Sequence, residues 1–308
     1  MDKGKIVFSA FDGMSCGQIA LERAGIKVDK YFASEIKPHA IKVTQHNYPN
    51  TIQLGDIRNI QAKDLPNIDL LIGGSPCQDF SQANKEKLGL KGLKSGLFFE
   101  YLRLLKELKP KYFLLENVAM DDYSYHTISE YLGTYPVDIN SERVSAQLRQ
   151  RSYWTNIGQE SFDLFGFRRC EIPQPMNKNI SFQSILESGY TEKTKAKCLL
   201  ESESRNIGYT YSALRRYMLF GFINIIFKDK ETYMKYANLS EEQLEKEYKK
   251  GDIRNLSQIE LERLQTVPEG YTSIIDRNKA ASLLGDGWTV DVIAHIFKYL
   301  KNMQNKMK

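Results

Sequence analysis

The first half of the chain alternates between short, continuous apolar runs and longer segments with helical character. The apolar runs are of strand length and rich in β-branched and aromatic residues, and they predict buried strands at 5–11, 31–35, 51–57, 68–74 and 112–117. The segments between them predict helices near 18–25, 40–46 and 98–108. Strands and helices in alternation predict an α/β fold with a doubly wound, mostly parallel sheet.

This alternation is lost after Gly158, where Pro173 and Pro175 indicate a linker. Weaker strand signals precede the change, near 137–139 and 152–157. We therefore predict a sheet domain at 1–158 and 273–308, interrupted by a smaller domain at 159–272.

Composition limits the class of protein without identifying it. The 308 residues are 42% hydrophobic and 26% charged, which is typical of a globular protein of one or two domains. The net charge of +5 is compatible with a polyanionic partner but too small to require one. The four cysteines have neither metal-ligand nor disulfide spacing, so we expect a reducing, cytoplasmic setting and no metal. No apolar run has the length of a membrane span, so we expect no membrane partner.

Four predicted strands end close to a side chain that can do chemistry: Glu35, Asp56, Cys77 and Glu116. A single acid in such a place is more often a solvated loop carboxylate. However, parallel strands open at one edge of a sheet, so four such residues can meet in one crevice. Cys77 taken alone has about even odds of being an ordinary buried thiol. The four positions together predict a site that combines a thiol with carboxyl groups.

The first strand leads through a glycine-bearing turn, 11–17, into the first helix. Amides at such a helix start can bind a carboxylate or a phosphate, and Glu35 is well spaced to grip ribose hydroxyls. The turn lacks the complete G-x-G-x-x-G pattern that seats a pyrophosphate. A nucleotide-like cofactor without a pyrophosphate is therefore favoured, such as S-adenosyl-L-methionine. An NAD-linked thiol enzyme stays open as a disfavoured alternative.

The ordered motifs resemble those of the DNA (cytosine-5)-methyltransferases of bacteria and phages. The most specific are Gly-Gly-Ser-Pro-Cys-Gln at 73–78, Glu-Asn-Val at 116–118 and Gln-x-Arg-x-Arg at 147–151. The segment 256–268 is similar to the family element that buttresses the target recognition region. Phe-Asp-Gly at 11–13, and Gly-Asp-Gly-Trp at 285–288 where the family usually has Gly-Asn-Ala, are similar to the catalytic domain of the vertebrate de novo methyltransferases.

This resemblance implies methyl transfer from S-adenosyl-L-methionine to carbon 5 of a cytosine flipped out of double-stranded DNA. Cys77 would add to carbon 6 of the base, and Glu116, expected to be kept neutral by burial, would act on the ring nitrogen. Arg149 would hold the carbonyl oxygen of the base, and Arg151 would place positive charge near Cys77.

The resemblance also implies a set of binding residues. The cofactor would contact Phe11, Asp12, Gly13, Gly17, Glu35, Asp56, Ile57, Pro76 and Trp288. The DNA would contact Gln147 and a loop at 81–96, with Ser81, Ala83 and Asn84 near the flipped base. The inserted domain would be the target recognition domain, in which basic residues such as Lys193, Lys195 and Arg216 are candidates for phosphate or base contacts.

Two further alternatives stay open at this point. The same catalytic set could methylate cytosine in RNA, or the chain could be a catalytically idle DNA-binding homologue, although the intact motifs argue against the second. The expected partners are double-stranded DNA and a cognate restriction endonuclease. We expect a protein that acts on DNA as a monomer, in the cytoplasm of a bacterial or phage-infected cell.

Overall fold

A computed structural model describes residues 4–76, 96–164, 166–205 and 209–306. The predicted site residues Cys77, Ser81, Ala83 and Asn84 lie outside the described residues. The chain forms two compact units. The first unit comprises 1–140, 150–175 and 290–308, and the second comprises 141–149 and 176–289.

The first unit is built on a seven-stranded sheet with the strand order β3-β2-β1-β4-β5-β7-β6. Its strands are β1 (Lys5–Ala10), β2 (Val28–Ser34), β3 (Ile52–Gln53), β4 (Leu70–Gly74), β5 (Tyr112–Val118), β6 (Val137–Asn140) and β7 (Gln150–Thr155). The pairs among β1 to β5 are parallel, and β7 is antiparallel to both of its neighbours. This confirms the doubly wound, mostly parallel α/β sheet predicted from the sequence.

The helices of the first unit are α1 (Cys16–Arg23), α2 (Pro38–Asn47), α3 (Gly96–Leu108), α4 (Asp122–Leu132) and, at the end of the chain, α10 (Val290–Lys306). The apolar face of α3 buries Phe98, Tyr101 and Leu104 against a core that includes Phe8 and Trp154. Each such side chain contributes about 1.5–3 kcal/mol through the apolar surface it removes from water. This core fixes the strands and thereby the residues at their ends.

The predicted strand at 51–57 is wrong beyond Gln53. Residues Ile57–Asn59 form a 3₁₀ turn, because the Asp56 carboxylate accepts a hydrogen bond from the amide of Arg58 and starts the turn. The short β3 still pairs in parallel with β2, so the sheet order is unaffected.

The second unit has little regular sheet. Its elements are α5 (Tyr211–Phe220), β10 (Ile226–Phe227), α6 (Lys230–Ala237), α7 (Glu241–Glu247), β11 (Ile253–Arg254), α8 (Gln258–Leu264) and α9 (Arg277–Asp286). An apolar cluster around Phe227 and Tyr236 joins α5, α6 and the β10–β11 pair. The capping box at Ser257 and Glu260 starts α8: Ser257 Oγ accepts from the Glu260 amide, and the Glu260 carboxylate accepts from the Ser257 amide.

The boundaries of the two units differ from the predicted 159–272. The hairpin of β8 (Gln159–Phe162) and β9 (Arg168–Glu171) belongs to the first unit, because the amide of Tyr135 donates to the carbonyl of Arg168. Helix α9 belongs to the second unit, where it packs on the 3₁₀ turn Glu201–Ser204. Hydrophobic periodicity does not predict such contacts between distant segments.

None of the helices in the described part of the chain is long and apolar enough to cross a membrane.

The buried Glu262 offers a test of what holds the second unit together. Its carboxylate accepts from the Thr272 amide (2.8 Å), the Thr272 hydroxyl (2.5 Å) and the Gly270 amide (2.7 Å). Glu262→Ala leaves these donors buried without their acceptor, so we expect the free energy of unfolding to fall by about 3 kcal/mol in a urea titration. The exposed Glu245 is the matched control, and Glu245→Ala should change the free energy of unfolding by less than about 0.5 kcal/mol. Equal urea midpoints for the two variants would contradict this account.

Candidate functional site

The strand register brings four chain segments to one edge of the sheet. Ala10, near the end of β1, is opposite Ser34 of β2 and Gly73 of β4, and Gly74 is opposite Glu116 of β5. The chain after each of these strands therefore emerges on the same side, at the point where the strand order reverses. The predicted nucleophile motif leaves this edge through Ser75 and Pro76.

Gly73 holds β4 closely between its neighbours. A Cβ atom built at this position would lie 3.0 Å from the Ala10 carbonyl oxygen and 3.0 Å from the Tyr101 ring. Any larger residue would have to push α3 or β1 away. Gly73, the first glycine of the motif, is therefore a packing requirement of the sheet.

The turn after β1 has an unusual main chain. Phe11, Gly13 and Ser15 all have left-handed conformations, with φ values of 57°, 59° and 62°. This region is costly for residues other than glycine, so the surrounding structure has to stabilise it. A Cβ atom at Gly13 would meet nothing within 4 Å, so the space above the turn is open. This turn fits a ligand that approaches the main chain closely.

Asp12 belongs to this turn, and its side chain is buried. Its carboxyl group accepts hydrogen bonds from the Tyr31 hydroxyl (2.8 Å) and from the Ser15 hydroxyl, and its amide donates to the Ser34 carbonyl. Burial raises the pKa of Asp12 to about 6. Both oxygens of Asp12 thus bind the protein, which makes this side chain a support for the turn. Tyr31 was missed from the sequence because its contact with Asp12 depends on the pairing of β1 with β2, and Ser15 because its contact depends on the conformation of the turn.

Glu35 joins the end of β2 to the same turn. One carboxylate oxygen accepts from the Gly13 amide (2.8 Å), and the other accepts from the Ile36 and Lys37 amides (2.8 Å each). The side chain is partly exposed at the sheet edge. Glu35 therefore follows the end of β2 and contacts the turn after β1.

The other predicted cofactor residues have varied surroundings. Asp56 pairs with the Arg58 guanidinium, which holds the pKa of this carboxyl group below its ordinary value. Ile57 packs in the apolar core, and Gly17 is buried within α1. Pro76 follows β4 at the site edge, and the partly buried Trp288 belongs to the second unit.

Glu116 is buried at the end region of β5 and lies beside Arg151. Oε1 of Glu116 is 3.0 Å from Nε of Arg151, and their side chains are 11% and 12% exposed. The strand register produces this pair, because Val118 of β5 is opposite Arg151 of β7. The pair places a guanidinium directly beside the acid at this edge of the sheet.

A second buried contact links β4 to β5 next to the nucleophile motif. The Asn117 side-chain amide donates to the Ser75 hydroxyl over 3.3 Å, and both residues are buried. The Asn117 side-chain oxygen also accepts from the Val118 amide. Ser75 immediately precedes Pro76, so this bond holds the chain that leads to Cys77. The two residues are 42 positions apart, and their contact follows only from the register of the strands.

Arg149 and Gln147 lie within the second unit, and their contacts differ from the roles predicted for them. The Arg149 guanidinium donates to the carbonyls of Leu199 (2.8 Å), Gly285 (3.1 Å) and Gly287 (2.9 Å), and it lies 3.2 Å from Cys198 Sγ. It is 3% exposed, so the geometry indicates a structural role instead of a grip on a base.

Gln147 is fully buried, where a DNA contact had been predicted. Its side-chain amide donates to the Leu264 carbonyl (2.7 Å) and the Gln265 side chain (2.9 Å), and its oxygen accepts from the Leu199 amide. These bonds tie 141–149 to the end of α8. The predicted buttress segment therefore supports the Gln-x-Arg element itself.

Two of the lysines predicted to contact DNA are also hydrogen-bonded within the second unit. Lys195 Nζ donates to three carbonyls, those of Glu142, Ser145 and Ile180. Lys193 Nζ donates to the carbonyls of Gly221 and Ile223, and burial lowers its pKa to about 8. Among the described residues, no cluster of His, Cys, Asp and Glu could hold a metal ion.

The raised pKa of Asp12 makes stability depend on pH in a defined direction. Between its ordinary value of 3.8 and about 6, the folded state binds more protons at this group than the unfolded state. Its contribution to stability is therefore lost as the pH rises through this window. Asp12→Asn cannot ionise, so its free energy of unfolding relative to wild type should increase by about 2 kcal/mol from pH ~4 to pH ~7.

Urea unfolding at a series of pH values measures this difference. Asp64→Asn, which removes an exposed carboxyl group, is the control and is measured over the same range. A pH dependence of Asp12→Asn that equals that of Asp64→Asn would rule out a buried, proton-binding carboxyl group at Asp12.

Comparisons with known proteins agree with this geometry. The family model of the C-5 cytosine-specific DNA methylases matches residues 6–302. The chain is 30% identical over 300 residues to the Type II methyltransferase M1.ScrFI of Lactococcus lactis subsp. cremoris, covering 92% of this chain and 74% of that protein. It is 42% identical over 113 residues to the Type II methyltransferase M.NgoBV of Neisseria gonorrhoeae, covering 36% of this chain and 26% of that protein.

The fold is shared with solved structures of low sequence identity. The S. pombe Dnmt2 methyltransferase superposes with a TM-score of 0.69 at 17% identity, covering 98% of this chain and all of that chain. The Entamoeba histolytica methyltransferase EhMeth superposes with a TM-score of 0.68 at 18% identity, covering 98% and 99%. With the family match spanning both units, the chain belongs to the C-5 cytosine-specific DNA methylases.

Proposed function

We propose that this chain transfers a methyl group from S-adenosyl-L-methionine to carbon 5 of a cytosine flipped out of a specific double-stranded DNA sequence, through a covalent adduct with Cys77. The observation that carries the proposal is the register of β4 and β5. Gly74, three residues before Cys77, is opposite Glu116, which is paired with Arg151. A nucleophile and an acid on adjacent strand ends are what addition to a pyrimidine ring requires.

The turn after β1 supports a cofactor with a methionine and a ribose end. The left-handed main chain of Phe11 to Ser15 and the open space above Gly13 suit a carboxylate that contacts the main chain. Glu35 is the candidate for the ribose hydroxyls. When bound, S-adenosyl-L-methionine supplies an electrophilic methyl group on a sulfonium.

Cys77 makes carbon 5 of cytosine reactive. Carbon 5 alone is a poor nucleophile, but addition of the Cys77 thiolate to carbon 6 moves the electron pair of the 5,6 double bond to carbon 5. That pair forms the new bond to the methyl group. Removal of the carbon 5 proton by a base then restores the double bond and expels the thiolate.

Glu116 and Arg151 act on the ring while this charge moves. The protonated carboxyl group of Glu116 donates a hydrogen bond to the ring nitrogen at position 3 and offsets the negative charge that addition places there. We assign the carbonyl oxygen of the base to Arg151 instead of Arg149. Arg151 lies beside Glu116, whereas the Arg149 guanidinium is bound to carbonyls of the second unit. Arg149 is then a positioning residue for the second unit.

The second unit is the candidate target recognition domain. It carries exposed basic residues and little regular sheet, so its surface can vary without disturbing the catalytic sheet. The Type II methyltransferases among the relatives support a role in restriction-modification, with a cognate endonuclease as partner. Action on DNA as a monomer remains part of the proposal.

The proposed reaction is tested by bisulfite sequencing of host DNA after expression of the chain. We expect new 5-methylcytosine at one short sequence for wild type and none for Cys77→Ala, which has no nucleophile. Cys170→Ala is the control, because Cys170 is buried in β9, and it should methylate the same sites. Methylation by Cys77→Ala at the wild-type level would contradict a covalent adduct. Methylated cytosine in RNA alone would overturn the DNA substrate.

The different roles of the two arginines give a second prediction. Arg151→Lys loses the planar fork beside Glu116, so we expect the methylation rate to fall about 100-fold with little change in the melting temperature. Arg149→Lys cannot serve the same carbonyls, so we expect it to lower the melting temperature by several degrees. Methylation rates with the purified variants and thermal unfolding measure both effects. The reverse pattern would return the base contact to Arg149.

A further inference from the structure

Two phenylalanines stand exposed at the end of α5 in the second unit. Phe220 is 51% exposed and Phe222 is 69% exposed. Their rings are nearly parallel, with an interplanar angle of 8° and centroids 5.6 Å apart. Single exposed apolar side chains are common on protein surfaces, but two large rings that stack on each other form a local apolar patch, which is typical of a binding site.

The main chain that carries these rings is firmly anchored. Gly221 ends α5 in a left-handed conformation (φ 63°), and its amide donates to the Tyr217 carbonyl. Lys193 Nζ donates to the carbonyls on both sides of Phe222, those of Gly221 (3.1 Å) and Ile223 (3.4 Å), and lies 3.9 Å from the centre of the Tyr217 ring. A rigid mount reduces the conformational entropy lost when the rings bind a partner.

The segment that carries the rings is basic, which favours a polyanion as its partner. Residues 205–228 contain four basic residues and no acidic one. Arg216 and Lys228 are exposed, and Arg215 pairs with Glu241 of α7. A second copy of this chain docked on the same patch would bring like charges together, whereas DNA phosphates would neutralise them.

We propose that Phe220 and Phe222 form a stacking platform for an unstacked base of the bound DNA. The inference rests on the proposed function, because a flipped cytosine leaves its neighbours partly unstacked and their faces open. An aromatic ring can stack on any of the four bases, so this contact supplies affinity and holds the distorted duplex without reading its sequence. The neighbouring basic residues neutralise the phosphates of the same strand.

Fluorescence anisotropy measures the contact with a labelled duplex that carries the sequence mapped by bisulfite sequencing. We expect Phe222→Ala to weaken binding about 10-fold, and Phe220→Ala/Phe222→Ala to weaken it further. Phe222→Tyr keeps a ring and should bind within about twofold of wild type, whereas Phe222→Leu keeps an apolar side chain without a ring and should bind like Phe222→Ala. Phe162→Ala is the matched control: Phe162 is 65% exposed but lies on β8 of the first unit, and the variant should bind like wild type.

The salt dependence separates stacking from phosphate contact. The slope of log K against log salt concentration should be unchanged in Phe222→Ala and should fall by about one in Arg216→Gln. Because both rings are exposed, the variants should have the same melting temperature as wild type.

Several outcomes would overturn the platform. One is a double variant that binds DNA within twofold of wild type while the wild type methylates DNA. That result would leave the proposed function intact. Another is wild-type affinity in Phe222→Leu. A third is that the wild type sediments as a dimer, whereas the double variant sediments as a monomer and keeps its affinity for DNA. A wild type that neither binds nor methylates DNA would reject both the platform and the proposed function.

Discussion

The close parallel packing of β4 between β1 and β5 is the constraint on which the site depends. It is set by Gly73, where any side chain would strike the Ala10 carbonyl and the Tyr101 ring. With β4 held at this distance, Gly74 falls opposite Glu116, and Ser75 comes within reach of Asn117. The acid, the start of the nucleophile motif and the turn after β1 thus reach one edge as a consequence of strand packing.

Two buried carboxyl groups near this edge have different kinds of partner. Asp12 is surrounded by hydroxyl groups, from Ser15 and Tyr31, so burial dominates and its pKa rises to about 6. Glu116 has the Arg151 guanidinium beside it, with Oε1 of Glu116 3.0 Å from Nε of Arg151. The first arrangement suits a carboxyl group that supports a strained turn. The second fixes an acid and a guanidinium next to each other at the edge of the sheet.

The second unit is stabilised in another way. It has only short strands, so side chains take over the pairing of its buried main chain. Arg149, Gln147 and Lys195 together donate to seven backbone carbonyls, and Glu262 accepts from two backbone amides. Polar residues that resemble nucleic-acid contacts in the sequence are therefore also suited to hold irregular chain in place. Exposed side chains of this unit, such as Phe220 and Phe222, are then available to bind a partner.

Local pattern by itself determined the strands β1, β2, β4 and β5, the helix α3, and the order of motifs that identifies the family, because each depends on residues close together in the chain. Helix α4 was not predicted, and the predicted domain boundaries differ from those of the two units, since both depend on packing between distant segments. Only the tertiary structure distinguishes the surroundings of the two arginines: the motif treats Arg149 and Arg151 alike, but backbone carbonyls surround the first and a carboxylate lies beside the second. Hydrogen-bond partners are a property of neighbours in space, and the sequence of a motif does not contain them.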